Sequence, residues 1–386
     1  MSIFKAPNIN NMFAVNTEGG ELDSGVIGVL SGGRDKYVSA REAIQNSDLY
    51  SLITQISGDL ASARLIADRK NVQGFLNNPD PRTSPHSFWQ SFYAQLLLNG
   101  EAFAYRWRNR NGQDEWWEQL RPSQVVVYIS DDGKELFYQV SFDEPMLETQ
   151  IFSQKDVIHV RLMGLNGGLR GISPLTSLVN EFHVKTESDK LTLKALKQSI
   201  TSNGVLKINK GGLMTWQQKA SRSRQFMKQY TSSDAGPVVI DDLEEYSPLE
   251  MKSDVAQLLS QVDWTATQFA KAYGVPDSYL NGSGDQQSSL DQIKGLYANS
   301  INRYMNASIS ELNRQLPGKI HSDLRPALDP LGEHYMQRMS ALVKEGSIGQ
   351  NQFEFLMRQQ GYLPEDMPEA VIVKQKGGDK SEGNQH

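Results

Sequence analysis

Apolar residues along this chain recur with two periods, and the switch between them divides it. From Ser39 to Asp68, in SAREAIQNSDLYSLITQISGDLASARLIAD, Ala43, Leu49, Leu52, Ile53, Ile56, Leu60 and Ala63 fall at helical spacing. That spacing predicts a helix pair or one interrupted helix. Three prolines in NNPDPRTSPHS break the pattern, and SFWQSFYAQLLLNG predicts another helix stopped by Asn99-Gly100. From Glu101 the period becomes two. EAFAYRWRN, EWWEQL, QVVVYIS, ELFYQVSF and DVIHVRL, with turns at Gly112 and Asp131-Asp132-Gly133, predict antiparallel strands and hairpins. Residues 37–163 therefore read as an α+β body.

After GLNGGLRGISPL the stretch from Pro174 to about Ile200 predicts one helix, roughly 40 Å long. Leu178, Phe182, Leu193, Leu196 and Ile200 lie there among many charges, so its apolar stripe is narrow. It reads either as a surface helix or as one packed against copies of itself. Residues 201–248 read as a small α/β insert: strand GVLKI, turn NKGG, helix TWQQKASRSRQFMKQY, strand PVVI and a last short strand near Tyr246. Val255, Leu258, Leu259, Val262, Ala266, Phe269 and Tyr273 mark one face of the next helix, capped by Ser253 or Asp254 and closed by Gly274. A long polar loop, GVPDSYLNGSGDQQ, separates it from a helix that opens with the capping box Ser288-Ser289-Leu290-Asp291. That helix runs through Ile293, Tyr297, Ile301, Met305, Ile309, Leu312 and Leu316 to Pro317. A strand, KIHSDL, and a helical hairpin follow, the hairpin capped by Asp329 with Pro330 first, broken at Gly346 and ending at Gly361.

At 386 residues, two or three subdomains are expected. With 38% hydrophobic and 22% charged residues and a mean hydropathy of -0.50, the chain can bury a core beneath a very polar surface. Its 39 basic and 45 acidic residues leave a net charge of -6, which argues against a general nucleic-acid binder; contact with DNA has to be local or weak. The absence of cysteine removes disulfides, thiolate zinc sites and a cysteine nucleophile. No stretch approaches the ~20 apolar residues that span a bilayer, and the beginning of the chain lacks a signal-like run, so cytosolic synthesis is expected. Residues 1–36 read as an extended arm, disordered or lying on a neighbour, and 366–386 as a disordered tail.

Charge is segregated around the insert. Between Lys190 and Ser233 there are nine basic residues, among them Lys207, Lys210, Lys219, Arg222, Arg224 and Lys228, and no acid. Between Asp234 and Asp263 eight acids face only Lys252. Such a basic half is expected to meet something negative: a partner's acidic surface, DNA, or the acidic half of an adjacent subunit.

Catalytic patterns are missing. The six histidines form no i, i+4 pair, so no metal site is expected, and His159 reads as a strand residue. NGSGDQ lacks the strand-turn-helix frame of a nucleophile elbow around Ser283. GLNGGLRGISPL lacks the GK[ST] ending of a phosphate loop and does not fit GxGxxG. A non-enzymatic role without cofactors is the expectation. Two alternatives are a nucleotide-binding enzyme using the Gly-rich 164–175 loop, and a regulator using GSIGQNQFEFLMRQQGYLP as a helix-turn-helix. The second helix of that motif has only Arg358 as a cation.

Five segments in order, EAIQNSDLYSLITQISGDLASARL, NNPDPRTSPHSFWQSFYAQLLLNGEAFAYRWRNRNG, LRPSQVVVYISDDGKELFYQV, DVIHVRLMGLNGGLRGISPL and FAKAYGVPDSYLNG, resemble the portal proteins of tailed bacteriophages, specifically the smaller siphovirus type. The resemblance spans about residues 37–365. It implies an α+β, mainly helical portal fold assembled as a ring of twelve around an axial channel, at the unique capsid vertex of the virion, made in the host cytoplasm. Double-stranded DNA would pass without sequence specificity, inward under a terminase motor and later outward to the tail. Other implied partners are the terminase large subunit, the major capsid and scaffold proteins and a head-tail adaptor; no membrane is involved. The implied plan is a wing at 37–170, stem helices at 171–200 and 249–273, and a clip at 201–248. A tunnel loop at 274–287, a long wing helix and strand at 288–328, and a small crown at 329–365 complete it. Val275, Pro276, Asp277, Tyr279, Leu280, Asn281, Gln286 and Gln287 would be the DNA-facing loop residues. Lys207, Lys210, Lys219, Arg222, Arg224 and Lys228 would form the clip's contact with motor, adaptor or neighbouring subunit.

Overall fold

The computed structural model describes residues 12–14, 40–142, 149–164, 167–200, 204–209, 214–231, 244–248, 266–276, 278, 287–359, 362–364 and 366. The chain forms two units, Met1–Leu324 and Arg325–His386.

In the first unit, strand β1 (Met12–Ala14) and a short α1 (Ala40–Ala43) precede α2 (Ser47–Ser62). Asn46 starts α2 by accepting the Asp48 and Leu49 amides on its side chain, and Leu49, Leu52, Ile53, Ile56 and Leu60 bury one face. The expected continuation of helix to Asp68 is not what forms. The helix ends at Ser62, and Arg64–Ala67 become strand β2, paired antiparallel with Ile320–Asp323. Its partner lies far along the chain, so local periodicity could not reveal it. A helix that the pattern did not announce, α3 (Lys70–Asn77), tucks Val72 and Leu76 inward.

Helix α4 (Pro85–Asn99) has Ser84 as cap, Pro85 in its first turn and Gly100 in the left-handed region at φ 74, as its sequence predicts. It packs on α2 and leads into β3 (Glu101–Arg108), the centre of a three-stranded sheet between β4 (Asp114–Leu120) and β8 (Val157–Arg161). A second sheet has the order β1, β5 (Val125–Ser130), β6 (Leu136–Val140), β7 (Gln150–Ser153). Phe103, Leu120, Val125, Val127, Leu136, Tyr138, Val140 and Val157 make one core from both sheets. Of the expected N-terminal arm, Met12–Ala14 pair with Tyr128–Ser130 of the chain's own sheet, and the rest of 1–36 lies outside the described residues.

The segment Leu162–Pro174 returns the chain across the end of α4. Leu162 donates its amide to the Gly100 carbonyl at 2.8 Å, and Ser173 donates its hydroxyl to the Leu98 carbonyl. Gly164 and Gly171 of this segment, and Gly100 facing it, serve close backbone approach. A β-carbon at Gly171 would lie 2.1 Å from the Gly100 oxygen, one at Gly100 2.1 Å from the Ile172 oxygen, and one at Gly164 2.2 Å from the Arg170 oxygen.

A 3-10 turn, Pro174–Leu178, precedes α5 (Val179–Ile200), so the expected single helix is shorter by one turn, about 33 Å. Strand β9 (Gly204–Ile208), helix α6 (Trp216–Thr231) and strand β10 (Glu244–Pro248) form the insert, with β9 and β10 antiparallel. The expected strand at 237–240 lies outside the described residues. Residues 266–272 are helical, and α7 (Gln287–Gln315), about 44 Å long, follows. Tyr297, Ile301, Met305, Leu312 and Leu316 bury its stripe, and β11 (Ile320–Asp323) closes the unit on β2.

The second unit holds α8 (Arg325–Leu328), α9 (Glu333–Lys344) and α10 (Gln350–Gln359). The hairpin and its break at Gly346, at φ 76, are as expected, but its start is not. Gly332, at φ 70, precedes the first helical residue, and the Asp329 carboxylate receives the Tyr335 amide at 2.9 Å. The start lies three residues along from Pro330, and a β-carbon at 332 would collide with the Tyr362 ring, so the left-handed residue before the helix has to be glycine.

Gly171→Ala should cost about 1–3 kcal/mol in denaturant unfolding, because the methyl group must push two backbones apart. An unchanged midpoint would mean that the segment does not pass so close to Gly100.

Candidate functional site

Two regions carry residues that the sequence singled out, the root of the loop after Tyr273 and the insert, and a third, the polar junction under α7, emerges from the structure.

The helix at 266–272 ends in a paired capping pattern. Gly274, at φ 64, donates its amide to the Lys271 carbonyl at 3.0 Å, and Val275 donates to the Ala270 carbonyl at 3.0 Å. Ala270 and Val275 are both buried, the apolar contact that accompanies such a cap. Val275 thus closes a helix, with its side chain buried. Pro276 is half-buried. Asp277, Tyr279, Leu280, Asn281 and Gln286 lie outside the described residues, and Gln287 opens α7. Side chains of α7 meet the exposed carbonyls of this root. Tyr304 donates to the Tyr273 carbonyl at 2.7 Å, Arg303 to the Gly274 carbonyl at 3.1 Å, and the Ser300 hydroxyl to that same carbonyl. The Tyr273 hydroxyl donates to the Leu97 carbonyl of α4 at 3.1 Å. Burial raises the phenol of Tyr304 to about 12 and that of Tyr273 further, so both remain donors.

At the other end of α7 lies a buried polar junction that sequence reading missed. Glu101, at the start of β3, is held by the Arg170 guanidinium, with Nε 3.0 Å from Oε1 and 2.9 Å from Oε2, and by the Gly171 amide at 3.3 Å. His159 on β8 is fully buried, with Nε2 3.1 Å from Glu101 and Nδ1 3.2 Å from the Tyr138 hydroxyl. Its amide donates to Glu311 of α7 at 3.3 Å, and Gln315 donates to the carbonyls of Gln154 and Val157. Burial pushes His159 down to about 4, against the opposing pull of Glu101. It is therefore neutral near pH 7, donating from Nε2 and accepting from Tyr138. Burial alone would raise Glu101, but the hydrogen bonds from His159 and Arg170 outweigh it and hold the carboxylate at about 2. The only sequence signal was a histidine and a glutamate at alternation positions meant for apolar side chains.

In the insert, Thr215 and Gln218 form a reciprocal cap for α6, and Phe226 packs on Tyr246 with ring centres 4.8 Å apart. Arg222 makes two bonds to Glu244, at 2.5 and 2.6 Å, and Lys207 pairs with Glu245 at 3.3 Å. Basic and acidic halves therefore meet in part within one chain, across β9, α6 and β10. The half-buried Arg222 guanidinium is thus bonded to a largely buried carboxylate and helps hold the insert together. Lys210 lies outside the described residues. Lys219, Arg224 and Lys228 are exposed, and no carboxylate among the described residues pairs with them.

A family model, the phage portal protein, matches residues 47–346. The chain belongs to the phage portal protein family. Comparison with curated proteins finds no matching relative. Among solved structures, a chain from the virion of a native gene transfer agent particle shares 17% identity, with 89% of this chain and 99% of that one covered at a TM-score of 0.61. A chain from the neck of the native particle, with C12 symmetry, shares 16% over 87% and 98% at 0.62. An HK97 family phage portal protein from Corynebacterium diphtheriae shares 14% over 77% and 98% at 0.53. At such identities the likeness is one of fold. The family is a structural class, and Gly164 and Gly171 of the 164–175 segment serve close backbone contact, which does not favour a phosphate-binding role. Arg358 pairs with Glu354 at 2.6 Å, which leaves the helix-turn-helix reading without support from its single cation.

The buried junction implies a pH dependence. Between about pH 6.5 and 4 the unfolded chain protonates His159 while the folded portal does not, so stability is full above that window and falls as pH drops through it. The loss is on the order of 3 kcal/mol. Glu101 extends the decline from about 4.5 towards 2. In urea unfolding measured across this range, His159→Gln should flatten the slope between pH 4 and 6.5 and keep the lower one. An unaltered upper slope would assign that titration to another group.

Proposed function

We propose that the chain is the subunit of a ring at the unique capsid vertex, a channel through which a motor drives double-stranded DNA inward and through which DNA later leaves into the tail. Membership of the phage portal protein family over residues 47–346 carries this reading. Likeness to a neck chain of C12 symmetry, of which 98% is covered, supports a ring of twelve.

In this reading residues 37–170 are the wing, 171–200 and 249–273 the stem helices, and 201–248 the clip. The loop at 274–287 lines the channel, 288–328 is the long wing helix with its strand, and 329–365 a small crown. A net charge of -6 suits a conduit, since a strongly cationic lining would hold the phosphate backbone that has to slide. The loop from Asp277 to Gln287 carries Asp277 and Asp285 but no lysine or arginine, which suits brief contact with DNA. Terminase, scaffold, capsid protein and adaptor are the partners this role requires. Lys219, Arg224 and Lys228, exposed on the clip, are the cations available to an acidic motor, adaptor or neighbouring subunit.

Twelve copies of a 43.3 kDa chain make about 520 kDa, so light scattering on the purified protein should report a mass near that value. A monomer or dimer at every concentration would sink the ring. Arg224→Glu with Lys228→Glu should impair DNA packaging or ring assembly in an infection, and normal phage yield would release these residues from the contact surface.

A further inference from the structure

The root of the channel loop is fastened by more than a surface connection requires. Two successive carbonyls, at Tyr273 and Gly274, receive three side-chain donors from one face of α7, spaced i, i+3 and i+4. We propose that Ser300, Arg303 and Tyr304 are positioning residues that clamp the loop to α7, so that a force on the loop passes into α7 and, through Tyr273, into α4. The role assigned to that force rests on the reading of 274–287 as the DNA-facing loop. The clamp itself does not.

The geometry has the marks of a built device. Arg303 uses one nitrogen twice, donating from Nη2 to the Gly274 carbonyl at 3.1 Å and to the Ser300 oxygen at 3.2 Å, while Ser300 donates onward to the same carbonyl. The three groups close a small ring of hydrogen bonds around one backbone oxygen. Ser300 is buried although Arg303 is exposed, so half of the clamp is fixed in the core and half lies over the root. Among the described residues no carboxylate pairs with Arg303, and its charge rests on the carbonyl end of a helix, where a cation is favoured. Gly274 completes the fit: a β-carbon there would come within 3.2 Å of the Arg303 guanidinium and would also strain the backbone at φ 64. The chain is continuous from the clamp to the junction under α7, since Tyr273 binds Leu97 of α4 and α4 ends at Gly100, against which Gly171 packs. Movement of the root therefore cannot occur without moving α4 or breaking these bonds.

The test is limited digestion of the full-length, DNA-free protein with chymotrypsin, following the fragment cut after Tyr279 or Leu280. Arg303→Gln and Ser300→Ala should each speed that cut by about five- to tenfold, because opening the root loses one charge-assisted or neutral hydrogen bond. The double variant should be no faster than the faster single one, since both residues act on one carbonyl. Tyr304→Phe, which acts on the other carbonyl, should multiply with either. Thermal midpoint, ring mass and cleavage elsewhere should stay as in the parent, which separates a clamp from general stabilisation. Unchanged cutting in Arg303→Gln, or singles that multiply in the double variant, would overturn the clamp. A protein shortened by residues 281–287 is then tested for packaged DNA. If it packages normally, the DNA-facing reading of the loop falls while the clamp stands on the digestion result.

Discussion

Tyr297, Ile301, Met305, Leu312 and Leu316 bury one stripe of α7 against α2 and β8, and Tyr93 of α4 reaches Met305 from below. At roughly 1.5–3 kcal/mol for each large side chain removed from water, this stripe is a substantial part of what holds the first unit together. Everything that concerns the channel reading hangs from it. The loop leaves α7 at one end, the sheet of β3 and β8 is bonded to the other, and α2 is tied midway by the Tyr297 hydroxyl on Asp59.

Apolar contact alone would let α7 slide or rotate by a small step, since oily stripes are tolerant. Directional bonds remove that freedom. Glu311 and Gln315 receive and give hydrogen bonds to the backbone of β8 and the turn before it, and Arg106 of β3 donates to the Gln315 carbonyl at 3.1 Å. The Glu101, Arg170 and His159 group sits beside this seam. Desolvating charges is costly, so the gain here lies less in stability than in a unique arrangement, and breaking one partner would strand the other. Arg170 also explains why the Gly-rich return segment has to pass so near Gly100: its guanidinium has to reach a carboxylate at the first residue of β3.

The insert obeys a different rule. Its core is small, with Phe226 against Tyr246, and its two ion pairs join elements from opposite ends of a charge-segregated stretch. Segregation by sequence thus serves internal pairing first and leaves a remainder, Lys219, Arg224 and Lys228, on the outside. Among the described residues of α6, these three cations are the ones without a carboxylate partner.

Periodicity alone determined the change from helix to strand at Glu101, the left-handed stop at Gly100, the five alternating strands and the long helix from about residue 288. These depend on neighbours a few residues away, which is the range over which hydrogen-bond geometry and side-chain spacing act. The order of segments was enough to place the chain in its family. The tertiary structure decided the rest. Arg64–Ala67 chose a strand because Ile320–Asp323 was there to pair with, and Val275 turned inward to cap a helix although it stands in a polar loop. Arg222 found Glu244, and His159 became a buried neutral link instead of a bland strand residue. Apart from the local cap at Val275, the partner is far away in the chain, and the energy of a buried contact exceeds the small local preference that a sequence displays.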